Sequence, residues 1–196
     1  MKRIIFATSN EGKMREIRAI MADSGYEVVS LKEAGISVDV EENGTTFEEN
    51  AIIKASTIAK ATGELVLADD SGLEVDYMDK APGVYSARFL GEDTDYVIKN
   101  NYILEKLQGV SKEERSARFV CVIALSYPDG TCITRRATIE GYIGYEIRGE
   151  NGFGYDPIFM VDEYNKTTAE LSMEEKNKIS HRAKALRAIK EQLAKE

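Results

Sequence analysis

Apolar and polar positions along the first thirty residues predict a strand, a helix and a second strand. Residues 2–8 form a β-branched and aromatic run that ends in small polar residues, and apolar side chains then recur at helical spacing over residues 13–22. Gly25 is typical of a helix end, and residues 26–31 again have the pattern of a strand. The chain therefore opens as an α/β protein does.

The next forty-odd residues predict a capped helix followed by a strand that ends in acids. Residues 46–49, Thr-Phe-Glu-Glu, have the spacing of a capping box, so we expect a helix that ends just before Gly63. Residues 64–68 read as a strand whose end delivers Asp69-Asp70-Ser71-Gly72. A further strand is predicted over residues 73–77, with the acids between the two strands.

The second half of the chain predicts a helix, a long hairpin, a glycine-rich loop and a final helix. Their expected ranges are 93–108 for the helix with its N-cap, 117–127 and 131–143 for the hairpin, 149–157 for the loop, 157–161 for a short strand and 180–194 for the last helix. Strands alternate with helices early and a hairpin follows. The predicted fold class is therefore α/β with a mixed sheet.

Charge and composition narrow the class of partner. The 196 residues carry 26 Lys and Arg against 34 Asp and Glu, a net charge of −8. Such a chain is repelled by nucleic acid and by anionic lipid, so we expect neither as a partner. The longest apolar run, residues 119–125, is far shorter than the ~20 residues of a membrane-spanning helix.

Two features indicate a reducing compartment. The basic start, residues 1–6, meets polar residues before an apolar stretch of signal-peptide length accumulates. Cys121 and Cys132 flank the turn at residues 128–130 but would not lie opposite each other in the hairpin. We therefore expect free thiols and a cytoplasmic protein.

Adjacent carboxylates at the end of an apolar strand suit a hard divalent cation. Asp69 and Asp70 hold that position, and Glu41 and Glu42 precede the capped helix as a second acidic pair. In the alternative interpretation, both segments are ordinary polar turns. Lys54 lies one helical turn beyond Asn50, on a face that can look toward the same carboxylates.

The segment between the first strand and the first helix suits phosphate oxygens. Thr8-Ser9-Asn10-Glu11-Gly12-Lys13 combines backbone N–H groups at a helix N-terminus with small hydroxyl groups and one lysine. It lacks the spacing of a Walker loop. Ser9 and Asn10 could also simply cap the helix.

His181 is the only histidine, and it opens the last helix with Arg182 beside it. A lone histidine with no cysteine cluster disfavours structural zinc. No Gly-x-Ser-x-Gly sequence occurs, which disfavours a serine nucleophile.

Taken in order, six segments resemble the inosine triphosphate pyrophosphatase family, which acts on dITP and XTP, over nearly the whole chain. They are residues 7–13, 46–51 with 54–55, 67–73, 81–88, 152–159, and 176–177 with 179–182. Two departures, Ser9 and Ala183 where glycine is common, remove no functional side chain.

The resemblance implies hydrolysis of ITP, dITP and XTP to the monophosphate and pyrophosphate. It implies a Mg²⁺-dependent homodimer, each protomer a single domain over residues 1–196 with an elongated mixed sheet, flanking helices and two lobes around a central nucleotide-binding cleft. Asp70 would accept the proton of the attacking water, and Glu42 with Asp70 would hold Mg²⁺, with Glu41 and Asp69 as less favoured ligands. The implied substrate-binding residues are Thr8, Ser9, Asn10, Glu11, Gly12, Lys13, Lys54, Ser71, Phe153, Gly154, Tyr155, Asp156, Lys176, His181 and Arg182.

Selection of the base would depend on the 6-oxo group of hypoxanthine and xanthine, which accepts hydrogen bonds at the position where adenine presents an amino donor. His181 and Arg182 can donate to that edge, and Phe153 or Tyr155 can stack on the ring. Two alternatives remain: a related pyrophosphatase for modified pyrimidine or common nucleotides, and a nucleotide-binding sensor without turnover. The paired Asp69 and Asp70 together with Lys13 disfavour the sensor.

Overall fold

Four of the five α-helices within residues 2–195 begin at a side-chain cap, from Asn10, Thr46, Asp95 and Ser172. The computed structural model describes residues 2–195. The hydroxyl of Thr46 accepts a hydrogen bond from the backbone N–H of Glu49. In turn, the Glu49 carboxylate accepts one from the backbone N–H of Thr46. This capping box is confirmed, and its helix ends at Gly63 with φ 68°. Within residues 2–195 the α-helices are α1 (Glu11–Met21), α2 (Phe47–Thr62), α3 (Tyr96–Lys106), α4 (Met173–Ile179) and α5 (His181–Leu193).

The strands of the described residues form one sheet in the order β2-β1-β3-β4-β5-β6-β7. They are β1 (Lys2–Phe6), β2 (Tyr26–Ser30), β3 (Val66–Val75), β4 (Ser116–Ser126), β5 (Cys132–Ile143), β6 (Phe159–Val161) and β7 (Lys166–Thr167). Strand β1 pairs parallel with β2 and with β3, whereas β6 pairs antiparallel with β5 and with β7. The predicted α/β class with a mixed sheet is therefore confirmed.

Strand β3 corrects one prediction. The sequence predicts two strands, 64–68 and 73–77, separated by the acidic residues 69–72, but the structure has a single ten-residue strand from Val66 to Val75. Turn-forming residues do not predict a turn here, because Asp69 is fully buried and its charge is neutralised by basic partners instead of by solvent. The strand then gives way to a 3₁₀ turn at Asp76–Met78, where the prediction continued the strand to residue 77.

Two elements were missed because they are short. Helix α4 spans seven residues and β7 spans two, too few for a hydrophobic period to appear. Ser172 and Glu175 nevertheless form a second capping box before α4. Both cysteines are free.

The chain divides into two compact units, which we describe separately. Unit 1 covers, among the described residues, 2–70, 121–137 and 181–195, and unit 2 covers 71–120 and 138–180. The core of unit 1 joins β1, α1 and α5 through Phe6, Ile17 and Leu186. The core of unit 2 joins β3, α3 and β6 through Val75, Ile103 and Phe159. No helix within residues 2–195 combines the length and apolar character that crossing a membrane requires.

Candidate active site

The loop that joins β1 to α1 presents a helix N-terminus in unit 1. The side chain of Asn10 accepts from the backbone N–H of Lys13 at 3.0 Å, which caps α1, and the Asn10 N–H donates to Thr8 Oγ1 at 3.1 Å. Glu11 and Gly12 form the first turn of the helix. The capping role anticipated for Asn10 is therefore present. Ser9 is exposed beside it.

Lys13 is fixed by the first carboxylate of β3. Its Nζ lies 2.9 Å and 3.1 Å from the two carboxylate oxygens of Asp69, which is 0% exposed. Burial alone would raise the pKa of Asp69, but the charges of Lys13, Arg182 and Lys54 outweigh it and hold that pKa well below its usual range. Asp69 is thus a counter-ion inside unit 1 that is charged at neutral pH.

Arg182 lies on the other side of the same carboxylate. It is 2% exposed, its Nε and Nη2 each lie 3.3 Å from Asp69 Oδ2, and its Nη1 donates to Glu16. Lys13, Asp69, Arg182 and Glu16 form one buried ionic network. Glu16 was missed, although it lies one turn after Lys13 on a helix face that is otherwise apolar. That position is the signal that could have found it.

Asp70, the second carboxylate of β3, has a different environment from Asp69. Asn50 Nδ2 donates to its Oδ2 at 3.1 Å. Burial raises the pKa of Asp70 to about 6 against the opposing charge of Lys54, and the negative charges of Glu42 and Asp69 act in the same direction as burial. A half-buried carboxylate whose pKa lies near neutrality is suited to accept a proton from water.

Lys54 and Glu42 meet next to the carboxylates of β3. The ammonium of Lys54 lies 2.6 Å from Glu42 Oε1 and donates to the backbone carbonyl of Asp69 at 3.0 Å. Because Asn50 and Lys54 lie one turn apart on α2, the helix places an amide and an ammonium against the same two residues in the middle of β3, as the spacing predicts. Glu41 is exposed, whereas Glu42 is half-buried.

A cavity of about 300 Å³ lies in this part of unit 1. Its lining includes Thr8 and Ser9 of the β1–α1 loop together with Glu42 and Lys54. Among residues 2–195, no group of three or more His, Cys, Asp or Glu side chains is arranged to hold a metal. Two carboxylates, Glu42 and Asp70, fit Mg²⁺ better than a full protein cage would, because Mg²⁺ keeps waters and binds substrate phosphates.

The glycine-rich loop of unit 2 is organised around Asp156. Its carboxylate accepts from the backbone N–H of Phe153 at 2.9 Å, from Lys176 Nζ at 2.7 Å and from Thr168 Oγ1 at 2.7 Å. The Lys176 ammonium lies 5.0 Å from the centre of the Phe153 ring. Three of the predicted nucleoside-binding residues are therefore brought together, and Thr168 is an additional partner that the sequence did not single out.

Tyr155 belongs to the core of unit 2 instead of offering a free stacking face. It is 4% exposed, its hydroxyl donates to the Ser86 carbonyl at 2.6 Å and its ring packs edge-on against Tyr96 at 5.2 Å. Burial raises the pKa of Tyr155 above its ordinary value. Of the two predicted stacking rings, only Phe153 is half-exposed.

Gly152 is required by this arrangement, and its substitution gives a first prediction. A Cβ at Gly152, where φ is +75°, would lie 2.2 Å from Asp156 Oδ2. Gly152→Ala should therefore displace the carboxylate from Phe153 and Lys176, raise KM for nucleotide at least tenfold and destabilise the protein by about 1–3 kcal/mol. Gly25→Ala is the matched control, since Gly25 has φ +80° and nothing within 4 Å. Equal KM values in the two variants would contradict the prediction.

The predicted site residues are divided between the two units. Thr8 to Lys13, Glu42, Lys54, Asp69, Asp70, His181 and Arg182 belong to unit 1, and Ser71, Phe153, Gly154, Tyr155, Asp156 and Lys176 belong to unit 2. Ser71 is half-buried on β3, and His181 is buried at the start of α5. Each set is clustered within its own unit.

Comparison with known proteins agrees with the sequence resemblance. The model of the Ham1 family matches residues 4–192. A dITP/XTP pyrophosphatase of Bacillus licheniformis is 53% identical over 189 residues, covering 96% of each chain, and that of Bacillus subtilis is 51% identical with the same coverage. The solved Ham1 protein of Staphylococcus aureus is 44% identical with a TM-score of 0.88 over 98% of both chains, and a HAM1 protein from Coxiella burnetii is 41% identical with a TM-score of 0.90 over 100% of both. This chain belongs to the Ham1 family.

Proposed function

We propose that this chain is a Mg²⁺-dependent pyrophosphohydrolase that converts ITP, dITP and XTP to the monophosphate and pyrophosphate. The observation that carries the proposal is the unit 1 cavity, whose lining includes Glu42 and Lys54 beside the β1–α1 loop. The charges of these two residues also act on Asp70, the carboxylate with the raised pKa. Relatives that are 53% and 51% identical bear the name dITP/XTP pyrophosphatase. Removal of such nucleotides would keep them out of nucleic acids.

Each residue of unit 1 has a defined task in this reaction. The backbone N–H groups of residues 8–13, with Lys13 and Lys54, would bind the triphosphate, which carries about four negative charges. Glu42 and Asp70 would hold Mg²⁺, whose charge stabilises the phosphates and the leaving pyrophosphate when it is bound. Asp70 would take the proton of the water that attacks the phosphoryl group. Asp69 is assigned to the positioning of Lys13 and not to the metal.

The nucleoside would be bound by unit 2, with Phe153 stacked on the base and Lys176 held near it by Asp156. We propose further, as the resemblance implies, that residues 1–196 form a single domain of two lobes. We also propose the homodimer that the resemblance implies, and a cytoplasmic location, which the free thiols of Cys121 and Cys132 favour. Light scattering after gel filtration tests the dimer.

His181 and Arg182 remain proposed readers of the 6-oxo edge, with a qualification from the structure. Arg182 already contacts Asp69 and Glu16, so its loss would also disturb the phosphate site. We expect Arg182→Ala to lower kcat/KM for every nucleotide. If Arg182 also recognises the base, the ratio of kcat/KM for ITP to kcat/KM for ATP should fall as well. The ratio is the measurement that separates the two roles.

The function is tested by a pyrophosphate-release screen with and without Mg²⁺. ITP, dITP and XTP should be hydrolysed far faster than ATP, GTP, dTTP and UTP, and chelation should stop the reaction. Preference for a pyrimidine or a common nucleotide would favour the related pyrophosphatase. Nucleotide binding without release of pyrophosphate would favour the sensor.

Lys13→Ala gives a further prediction. We expect KM to rise and kcat to fall together, by at least tenfold in kcat/KM, because the ammonium meets the phosphates in both the ground and the transition state. The defect should be the same for ITP and XTP. Lys60→Ala, on the exposed end of α2, is the control for the lost charge. A defect confined to one of the two substrates would show that Lys13 reads the base.

A further inference from the structure

Lys54 occupies the position of a cation beside the Glu42 carboxylate. Its Nζ lies 2.6 Å from Glu42 Oε1 and 3.0 Å from the backbone carbonyl oxygen of Asp69, and its side chain is only 14% exposed. The ammonium therefore contacts one of the two carboxylates that the proposed function gives to Mg²⁺.

Lys54 also borders the space that the phosphates would fill. It lines the cavity with Thr8 and Ser9 of the β1–α1 loop. The side chain is anchored on α2, a 16-residue helix closed by a capping box, so the flexible stem and not the backbone would have to move. A small rotation of that stem can bring the ammonium from Glu42 to an anion at the loop.

The charges of the site favour such an exchange. The cluster has four carboxylates and three cations, and so keeps an excess of one negative charge; the carboxylates are Glu16, Glu42, Asp69 and Asp70, and the cations are Lys13, Lys54 and Arg182. A triphosphate of about four negative charges would be repelled by this set. A divalent cation at Glu42 and Asp70 would repel the Lys54 ammonium and at the same time attract the phosphates.

We propose that Lys54 is a resident counter-ion that Mg²⁺ displaces from Glu42, and that the displaced ammonium then binds the triphosphate. This inference rests on the proposed function and adds a coupling to it. Binding of the metal and binding of the phosphates are coupled, because both require the ion pair between Lys54 and Glu42 to break. By reciprocity, phosphate bound to Lys54 frees Glu42 for the metal.

The first test measures Mn²⁺ binding to the full chain without nucleotide, from the electron paramagnetic resonance signal of the free ion. Lys54→Met keeps the length of the stem and removes the competitor, so it should bind Mn²⁺ about tenfold tighter than wild type. Lys54→Gln should do the same, and it serves where Lys54→Met does not fold by circular dichroism. Lys60→Met removes an equal charge from the exposed end of α2 and should leave Mn²⁺ affinity within about twofold. Equal or weaker Mn²⁺ binding by both Lys54 variants overturns the proposal.

The second test measures binding of inorganic tripolyphosphate in EDTA. Glu42→Gln frees Lys54, so it should strengthen binding by about tenfold, and this gain should disappear in the Lys54→Met background. A gain of the same size with and without Lys54 would show that Glu42 acts only by repulsion and would overturn the exchange. Neither test uses turnover. A wild-type chain that fails to hydrolyse ITP would overturn the proposed function but not these binding results.

Discussion

Asp70→Asn is expected to lower kcat by about 10² or more while it raises the thermal stability of the metal-free protein. The amide is nearly isosteric with the carboxylate and can still accept the hydrogen bond that Asn50 donates at 3.1 Å. It cannot accept a proton from water, and it is a poor ligand for Mg²⁺. Activity and stability should therefore change in opposite directions.

The gain in stability follows from the sign of the pKa shift. Burial raises the pKa of Asp70 from 3.8 to about 6, so the folded protein holds a proton that the unfolded chain releases between those values. The free energy of unfolding that Asp70 contributes is therefore lost as pH rises from about 4 to about 6. At neutral pH the charged side chain costs the fold at most about 3 kcal/mol, which Asp70→Asn would recover.

Melting curves in EDTA at pH 4 and pH 7, together with a pyrophosphate-release assay, check this prediction. The stability gain should appear at pH 7 and vanish at pH 4. Asp39→Asn removes one carboxylate from an exposed position and should change neither activity nor stability. A kcat within about tenfold of wild type would reject Asp70 as the base.

The sequence predicted most of the secondary structure because its local signals are strong. The capping box at Thr46 and Gly63 at the other end fix α2, and helical spacing fixes α1 and α5 to within two residues. The acidic stretch of β3 was misread because Asp, Ser and Gly favour turns in isolation. Only the tertiary partners of Asp69, which are distant in sequence, keep that stretch extended.

Site residues are harder to predict because a residue type does not reveal its partner. The sequence indicated both Asp69 and Asp70 but could not say that Lys13 and Arg182 contact the first and Asn50 the second. Likewise Arg182 is suited by type to a 6-oxo group, yet its guanidinium contacts two carboxylates inside unit 1. Glu41 and Glu42 are equal in sequence, and only the contact with Lys54 distinguishes them.

Asp69→Asn should destabilise the protein, whereas Asp70→Asn should stabilise it. Asp69 is fully buried and contacts both Lys13 and Arg182, so its loss leaves two cations without their shared counter-charge. Removal of one partner from a buried ionic group destabilises a protein by about 3–5 kcal/mol. Turnover should fall as well, because Lys13 loses the carboxylate that positions it at the phosphate loop.

The pH dependence of that loss has a definite sign. The cations hold the pKa of Asp69 below its ordinary value of 3.8, so its contribution to stability is complete above that pH and is lost as pH falls below it. The difference in unfolding free energy between wild type and Asp69→Asn should therefore shrink below pH 4. A change of this difference between pH 5 and pH 7 is expected from Asp70, because the charge of Asp69 helps to raise the pKa of Asp70. Urea unfolding across this range measures it. Asp69 and Asp70 are adjacent on β3, and each substitution removes one carboxylate. If the free energy of unfolding at pH 7 changed in the same direction in both variants, the ionic network would not determine their stability.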